Sequence, residues 1–330
     1  MFPKLYIGPM SRQVIDAAIR TNLNLGLIPS RRQVDYNSGY VLQTGGLVRY
    51  VRRKTSKIII QRDHGGPKQG SRDDDGFVSL IQDCDNKLEL IHIDPWKEFK
   101  SIESAAHASH CLITAALEVN KSCLFEVGTE EAIRKYSPLE LQDFLNKLKI
   151  KLGDRFSSVK FAVIQSGVGL LGVSNTGTFN EERCKDMISV CKDFGLLSKE
   201  HNGDYLEPEL IKRRFELGLD GINIAPELAV EQTREILKNI KEKKFIDEIF
   251  NACFSSKSWV KWLPEGIEFE DEYERRLLIE VCCHYIYKTK EFEDICYRAK
   301  VHLPDTIPAL EDKIKSLHES CCLPNRNDRG

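Results

Sequence analysis

Short apolar runs recur between residues 5 and 225, and segments with helical periodicity separate them. Most runs are continuous rather than alternating, which is typical of parallel strands covered by helices. Eight alternating strand–helix units predict a (β/α)8 TIM barrel, and an open doubly wound sheet is the alternative. The predicted strands are LYIG (5–8), LGLI (25–28), KIIIQ (57–61), LELIHI (88–93), SCLFEV (122–127), KFAVIQ (160–165), LLSKE (196–200) and GINIA (221–225).

The clearest helix signal follows the fifth predicted strand, in SPLELQDFLNKLKIKLG (137–153). Ser137 is a favourable N-cap, Pro138 suits the first helical position, and Glu140 completes a capping box. Apolar residues then recur on one face, and Gly153 supplies a C-terminal stop. This segment is therefore predicted to be a barrel helix.

The strand pattern stops near residue 229, and the rest of the chain has helical periodicity. Segments 231–254, 268–298 and 307–320 are the predicted helices. We therefore expect a (β/α)8 catalytic domain over residues 1–230. A helical C-terminal extension over residues 231–330 would serve as a lid or as an oligomer or partner interface.

Composition narrows the class of protein. The formal net charge is −2, and aromatic residues do not interleave with the basic pairs, so no nucleic-acid partner is expected. No stretch approaches the roughly 20 apolar residues of a membrane helix, and the start lacks signal-peptide features. The eleven cysteines contain no CxxC motif and suit reduced thiols. We expect a soluble, cytoplasmic protein without membrane contact.

Polar and ionisable residues follow the predicted strands. In a barrel of this class the active site lies at the carboxyl ends of the strands, so these residues are expected to converge there. Charged groups at such positions are costly unless they are paired or coordinated. The residues at or just after six strands are Asp63 and His64, His92 and Asp94, Glu126, Gln165 and Ser166, Glu200 and His201, and Asn223 with Glu227.

Two imidazoles and a carboxylate in this set suit a divalent metal ion, with Zn²⁺ preferred. His64, Glu126 and His201 are the predicted ligands, because zinc takes nitrogen and oxygen donors and keeps an open position in catalytic sites. Asp63 or Asp204 would then move a proton. The alternatives are a turn histidine bonded to backbone at position 64 and an arginine-paired carboxylate at position 126.

The remaining candidates are predicted to contact a substrate. The glycine-rich stretch SGVGLLGVSNTG (166–177) follows the sixth strand, and its backbone amides could hold a phosphate. His92 is either a substrate contact or a hydrogen-bonded core group. The full set of predicted substrate residues is Arg62, His92, Asp94, Gln165, Ser166, Asn175, Asn202, Asn223 and Glu227.

Four ordered motifs resemble those of class II tagatose-bisphosphate aldolase non-catalytic subunits. They are DHGGP (63–67), HID (92–94), EVGTEE (126–131) and EHNGDY (200–205), and the similarity spans residues 57–228. The resemblance implies a barrel related to zinc-dependent class II aldolases. It also implies that Asp63 is a proton-transfer acid and that His64 and His201 are metal ligands.

The leading hypothesis is a metal-dependent class II-type aldolase. It would act on a phosphorylated or nucleotide-linked sugar through a metal-stabilised enolate. One alternative is a non-catalytic barrel subunit that stabilises a partner aldolase through the C-terminal helices. Another is a metal-dependent sugar isomerase or epimerase that uses the same enolate. Either a homo-oligomer or an assembly with an aldolase subunit is compatible with these hypotheses.

Overall fold

The computed structural model describes residues 1–35, 39–71 and 73–322. Eight parallel strands close into a barrel in the order β1-β10-β9-β6-β5-β4-β3-β2, which confirms the predicted TIM barrel and excludes the open sheet. Strands β7 and β8 form a separate antiparallel hairpin. The strands are β1 (Leu5–Ile7), β2 (Leu25–Leu27), β3 (Ile59–Gly65), β4 (Leu90–Ile93), β5 (Leu124–Val127), β6 (Val159–Ile164), β7 (Leu170–Leu171), β8 (Ser174–Asn175), β9 (Leu197–Glu200) and β10 (Gly221–Ile224).

Helices alternate with the barrel strands and continue beyond the last one. Three short 3₁₀ segments occupy Gly153–Ser158, Cys283–Tyr285 and Leu303–Thr306. The α-helices are α1 (Arg12–Thr21), α2 (Thr44–Arg52), α3 (Phe77–Asp85), α4 (Ile102–Val119), α5 (Pro138–Leu152), α6 (Glu181–Asp193), α7 (Pro208–Glu216), α8 (Pro226–Asn239), α9 (Lys243–Ser256), α10 (Glu272–Cys282), α11 (Lys290–Ala299) and α12 (Ile307–Ser320).

Helix α5 forms for the local reasons that its sequence predicts. The Ser137 side chain accepts the Glu140 backbone N–H, and the Glu140 carboxylate accepts the Ser137 N–H, so the capping box is complete. Leu141 and Phe144 are buried on its inner face. Capping and apolar periodicity agree, so the sequence alone places this helix.

The inside of the barrel changes from apolar to polar. Tyr6, Ile28, Leu90 and Phe161 form an apolar cluster separate from the main core. The ammonium group of Lys199 lies directly on this cluster, 3.3 Å from the centroid of the Tyr6 ring. Polar side chains therefore begin where the apolar filling ends, below the carboxyl-end mouth of the barrel.

The helices beyond β10 build a second apolar core, but the last helix returns to the barrel. Residues of α9, α10 and α11 pack together as one apolar cluster. Helix α12 packs against α1 and adds Leu310, Ile314 and Leu317 to the main core. The extra C-terminal helices are thus confirmed. Residue 230 lies within α8, and the domain boundary proposed there stays a prediction.

Two of the predicted C-terminal helices are interrupted. The segment 231–254 breaks between α8 and α9, and the segment 268–298 breaks at the 3₁₀ turn between α10 and α11. In the described part of the chain, no helix combines the length and the apolar character of a membrane span.

Candidate functional site

The end of β3 places two consecutive side chains at the mouth of the barrel. Successive residues of a regular strand point to opposite faces, and Arg62 accordingly points outward to Asp83. The pairing of β3 with β4 shifts register between Arg62 and Gly65, and His64 has a φ of 47°. This irregularity turns His64 to the same side as Asp63, as β-bulges near active sites commonly do.

Two glycines allow the end of β3 to approach β4 closely. A Cβ atom on Gly65 would lie 2.8 Å from the His92 carbonyl oxygen, and one on Gly66 would lie 2.9 Å from the Asp94 carbonyl oxygen. Gly66 also has a φ of 132°, which residues with a side chain rarely adopt. The Gly-Gly pair therefore brings His64 next to His92 and Asp94.

Three imidazoles form a triangle at the barrel mouth. The ring centroids of His64, His92 and His201 are 4.9, 5.1 and 4.8 Å apart. With Asp63 they offer four donor atoms within 4.8 Å of one another. Nitrogen donors with one carboxylate are a set that suits Zn²⁺ or another divalent ion of mixed preference. We call these four residues the His/Asp cluster.

Carboxylates fix the orientation of two of these imidazoles. His64 Nδ1 lies 2.6 Å from Asp94 Oδ2, and His201 Nε2 lies 2.6 Å from Glu126 Oε1. Because an ionised carboxylate only accepts hydrogen bonds, both nitrogens carry protons. In the neutral form of each ring, the lone pair is then on His64 Nε2 and on His201 Nδ1.

The third imidazole is fixed by a backbone carbonyl. His92 Nε2 lies 3.0 Å from the Gly128 oxygen, which leaves the lone pair on Nδ1. Within the described part of the chain, that atom accepts one hydrogen bond, the long 3.3 Å contact from the His64 backbone N–H. Metal-binding histidines almost always donate their second N–H to a carboxylate or carbonyl in this way. The orientation of all three rings therefore fits a metal site.

The electrostatics of the cluster differ from ring to ring. Burial lowers the pKa of His92 to about 4, so this ring is neutral at pH 7. Burial also opposes protonation of His64, but the charges of Asp63 and Glu130 and the bond to Asp94 outweigh it and raise its pKa well above the usual value. The pKa of Glu130 falls to about 2 because the His64 charge outweighs burial. A metal ion would have to displace the His64 proton.

Glu126, a predicted ligand, lies behind His201 rather than in the His/Asp cluster. Its Oε2 atom accepts hydrogen bonds from Gln61 at 2.8 Å and Lys199 at 2.9 Å, and its Oε1 atom accepts from His201. Burial opposes ionisation, but Lys199 and the imidazoles hold the pKa of Glu126 well below its usual range. Glu126 therefore supports His201 from behind. The His/Asp cluster contains the imidazole of His92 in place of the Glu126 carboxylate.

Arg62, a predicted substrate contact, is directed away from the barrel mouth. Its guanidinium is buried and donates to both oxygens of Asp83, to the carbonyls of Pro29 and Val34, and to the Thr44 hydroxyl. Strand alternation explains this outward direction. Arg62 therefore joins β3 to the surrounding helices and does not point toward the His/Asp cluster.

Gln165 and Ser166, at the end of β6, hold neighbouring loops. The Gln165 amide donates to the Thr129 carbonyl at 2.9 Å, and its oxygen accepts the Tyr136 N–H at 3.0 Å. The Ser166 hydroxyl and backbone N–H both donate to Glu200 Oε1. Their polar atoms already have protein partners, so their predicted roles in substrate binding stay predictions.

The glycine-rich stretch after β6 contains the β7–β8 hairpin. The amides of Gly169 and Gly177 donate to the Asn175 side-chain oxygen at 3.2 and 3.3 Å. The Gly167 amide donates to Glu131, and the Gly172 amide donates to the Trp262 carbonyl at 2.7 Å. These four amides stabilise the loop itself and are not directed at a common phosphate position.

The loop after β9 is anchored to the start of α8. Asp204 Oδ1 accepts the N–H groups of Ala225 and Glu227 at 2.9 Å, and burial raises the Asp204 pKa to about 8. Glu227 accepts the Tyr205 N–H at 2.7 Å. The observed partners of Asp204 and Glu227 thus include backbone amides that shape this loop. Their predicted roles, proton transfer for Asp204 and substrate binding for Glu227, are not tested.

Other predicted residues do border the cluster. Asn202 adopts a φ of 58° and donates to Glu130 at 2.6 Å, while Asn223 lies 3.4 Å from Asp63. Asn175 donates to the Asn202 carbonyl and so fixes the position of this loop.

Sequence reasoning missed Glu130 and Lys199. Glu130 Oε2 lies 3.5 Å from His64 Nε2. Lys199 is two residues before His201, so the period of two would have placed both on the inner face of β9. The alternation of side chains along β9 could therefore have identified Lys199 from the sequence.

Comparisons with known proteins identify the fold. No family model matches this chain, and no curated protein matches it. A probable tagatose 6 phosphate kinase from Sinorhizobium meliloti 1021 is similar in structure, with TM-score 0.77, 15% identity and coverage of 97% of this chain and 100% of the other.

Two further structures share the fold. Fructuronate-tagaturonate epimerase UxaE from Cohnella laeviribosi has TM-score 0.66, 10% identity and coverage of 97% and 81%. A fructose-bisphosphate aldolase from Campylobacter jejuni has TM-score 0.55, 12% identity and coverage of 97% and 89%. At these identities the likeness shows the fold alone, so the resemblance to non-catalytic aldolase subunits stays a prediction.

Proposed function

We propose that the protein is a divalent-metal-dependent lyase of the class II aldolase type, acting on a phosphorylated or nucleotide-linked sugar. The observation that carries this proposal is the His/Asp cluster, in which each imidazole has one nitrogen tied to a fixed acceptor and the four donor atoms lie within 4.8 Å of one another. The fold shared with an aldolase and a sugar epimerase supports the same class of chemistry.

In this proposal His64, His92 and His201 hold the ion, and zinc is the preferred candidate for three imidazoles. When bound, such an ion acts as a Lewis acid that polarises a carbonyl and stabilises negative charge. The protein holds the three rings through Asp94, the Gly128 carbonyl and Glu126.

Asp63 moves the proton in this scheme. Its Oδ1 atom lies 3.8 Å from His64 Nε2 and 3.7 Å from His201 Nδ1, so a substrate held by the cluster would lie beside it. Asn223 lies 3.4 Å from the same oxygen and can orient both Asp63 and a substrate hydroxyl. Asn202 and Glu130 supply a further donor and acceptor at this edge.

The first test is metal content. Elemental analysis of the purified protein should find about one divalent ion per chain, and His64→Ala, His92→Ala or His201→Ala should each remove it and abolish activity. The thermal midpoint of His64→Ala should stay near that of the wild type, because the His64 side chain is partly exposed at the barrel mouth. His92 and His201 are buried, so their variants are compared by the metal bound per folded chain. His107→Ala on the surface of α4 is the control and should keep the ion. Activity that persists in metal-free, chelator-treated protein would contradict the proposal.

A second test separates proton transfer from metal binding. Asp63→Asn should keep most of the bound metal and lower kcat by about 10²–10⁴-fold, the usual contribution of general acid–base catalysis. Asp73→Asn, on the exposed loop before α3, should leave both quantities unchanged. If Asp63→Asn retained full turnover, another group would have to carry the proton.

Epimerisation is the second candidate, favoured by the fold likeness to UxaE at TM-score 0.66. It uses the same metal site and the same proton carrier, so mutations cannot distinguish it from cleavage. Product analysis can distinguish the two reactions, because cleavage yields a second carbonyl fragment and epimerisation does not. A metal-binding protein that is inactive alone but stabilises a co-expressed aldolase would instead support the non-catalytic subunit.

A further inference from the structure

A cavity of about 260 Å³ lies where the barrel meets the C-terminal helices, and the four residues of the His/Asp cluster are not part of its lining. The lining comes from residues 10–13 at the start of α1, from residues 40–42 before α2, and from the C-terminal region between His284 and Leu303. Sites for drug-sized molecules have volumes of roughly 300–1,000 Å³, so this cavity suits a smaller ligand.

A buried histidine without a hydrogen-bond partner lines this cavity. His284 is 2% exposed, and neither of its ring nitrogens is bonded to any residue that the structure describes. The buried rings of His92 and His201, in contrast, are both held by hydrogen bonds. Buried polar groups are normally satisfied by protein, water or ligand. A polar group placed in the cavity would satisfy His284.

Neighbouring rings hold the His284 imidazole at the cavity wall. Its centroid is 4.0 Å from that of Tyr285 and 5.7 Å from that of Tyr40. Burial lowers the pKa of His284 well below its usual value, so the ring is neutral at pH 7. A neutral imidazole offers one N–H donor and one acceptor. His284 can therefore donate to an anionic oxygen without adding a charge to the cavity.

The start of α1 contributes to the same lining. The Ser11 side chain accepts the Val14 N–H at 3.1 Å, but the backbone N–H groups of Arg12 and Gln13 have no acceptor in the part of the chain that the structure describes. The first turn of this helix also contains no acidic residue. A helix N-terminus of this kind carries a partial positive charge that favours an anion.

The charged side chains of the lining favour a single negative charge. Arg12 and Lys288 are cations and Glu293 is a carboxylate, so two positive charges and one negative charge give a net charge of +1. The guanidinium carbon of Arg12 lies 4.9 Å from the Tyr50 ring centroid, which holds this side chain beside the start of α1. A monoanion therefore matches the lining better than a dianion does.

The remaining wall is apolar and aromatic. The Tyr287 hydroxyl is already paired with the Thr233 hydroxyl at 2.8 Å, so Tyr287 contributes ring surface rather than a free polar group. Such a wall suits the hydrocarbon part of a ligand. Its residues are Met10, Tyr40, Val41, Leu42, Tyr287 and Leu303.

We propose that this cavity binds a small organic monocarboxylate, with the carboxylate against His284, Arg12 and the first amides of α1 and the apolar part against the aromatic wall. The site is separate from the His/Asp cluster and does not rest on the proposed function. Because its lining comes from the barrel and from the C-terminal region, the bound carboxylate joins the two.

The test is isothermal titration calorimetry of the full-length protein at pH 8 with sodium benzoate, with its uncharged analogue benzamide, and with inorganic phosphate as the dianion. Benzoate should bind, and the other two should bind at least about tenfold more weakly. Arg12→Met and Lys288→Met should each weaken benzoate binding by about tenfold, the expected loss of one charged contact. His284→Phe keeps a ring but removes both nitrogens, and it should also weaken benzoate binding.

Lys290→Met is the matched control, because Lys290 is exposed two residues beyond Lys288 and lies outside the lining. It should bind benzoate as the wild type does. Arg12 and Lys288 are exposed, so their variants decide the matter even if His284→Phe does not fold. The inference is overturned if benzoate does not bind, if benzamide or phosphate binds as tightly as benzoate, or if Arg12→Met and Lys288→Met bind benzoate like the wild type.

Discussion

Lys199 and Glu200 are adjacent in β9 but belong to two separate buried ionic networks. Lys199 points into the barrel, where it meets Glu126 and Gln61. Glu200 points outward, where it accepts from Arg214 at 2.6 Å and from Ser166. Strand alternation alone assigns the two residues to opposite faces.

The two networks have the same chemistry but different consequences. The inner network ends on His201 and therefore fixes a ring of the His/Asp cluster. The outer network joins β9 to α7 and to the loop after β6, and among the described residues its side chains form no hydrogen bond with the cluster. The desolvation penalty of burying an ion pair offsets much of the free energy gained from the pairing. Removing one partner of a buried pair is nevertheless strongly destabilising, because the other charge stays buried. The position of a network, rather than its strength, decides whether it supports function or stability.

The largest expected effect is on the outer network. Arg214→Met leaves Glu200 buried without a cation and should lower the free energy of unfolding by about 3–5 kcal/mol. The folded fraction should still bind metal with wild-type affinity. Chemical denaturation and metal titration measure the two quantities. Arg213→Met is the matched control, because its surface pairing with Glu181 contributes far less. If Arg213→Met lowered the free energy of unfolding as much as Arg214→Met does, the stabilising role of the outer network would be contradicted.

A smaller effect is expected on the inner network. Glu126→Gln weakens the acceptor behind His201 and should raise the metal dissociation constant by about 10–100-fold, as for other groups that orient metal ligands. Competition with a chromogenic chelator measures this constant. Glu200→Gln changes the carboxylate on the outer face in the same way and should leave metal affinity unchanged. If the two variants had the same affinity, the inner network would have no special role.

The smallest effect concerns Asp204, a buried carboxyl group that forms no ion pair with any residue that the structure describes. Its pKa is about 8 in the folded protein against about 3.9 unfolded, so the folded state binds the proton more tightly. This contribution to stability is complete below about pH 4 and is lost as the pH rises toward 8. Asp204→Asn keeps the acceptor for the α8 amides but does not titrate.

The stability of Asp204→Asn relative to the wild type should therefore increase by up to about 1.4 kcal/mol between pH 6 and pH 7. Thermal unfolding at several pH values measures the difference. Asp193→Asn, exposed at the end of α6, should show no such trend. A constant difference between Asp204→Asn and the wild type would indicate that Asp204 is ionised in the folded protein.

The sequence predicted the barrel because local signals agreed with one another. Continuous apolar runs marked the eight strands, and the capping box at Ser137 marked the start of α5 as the structure shows it. The convergence of acids and histidines at the strand ends also followed from the fold, since all carboxyl ends of a parallel barrel lie together. Each of these inferences needs only the order of residues along one segment.

The tertiary structure alone decided which side chains form the His/Asp cluster and how their rings are oriented and protonated. A register shift in β3 turns His64 inward, and the Gly65–Gly66 approach brings it to His92. Lys199 reaches Glu126 from β9, two strands away in the barrel. Arg62 has ordinary strand geometry and so faces outward. The position of His64 and the pairing of Lys199 with Glu126 depend on contacts between residues distant in sequence, which periodicity along a single strand does not encode. Only the outward direction of Arg62 follows from strand alternation alone.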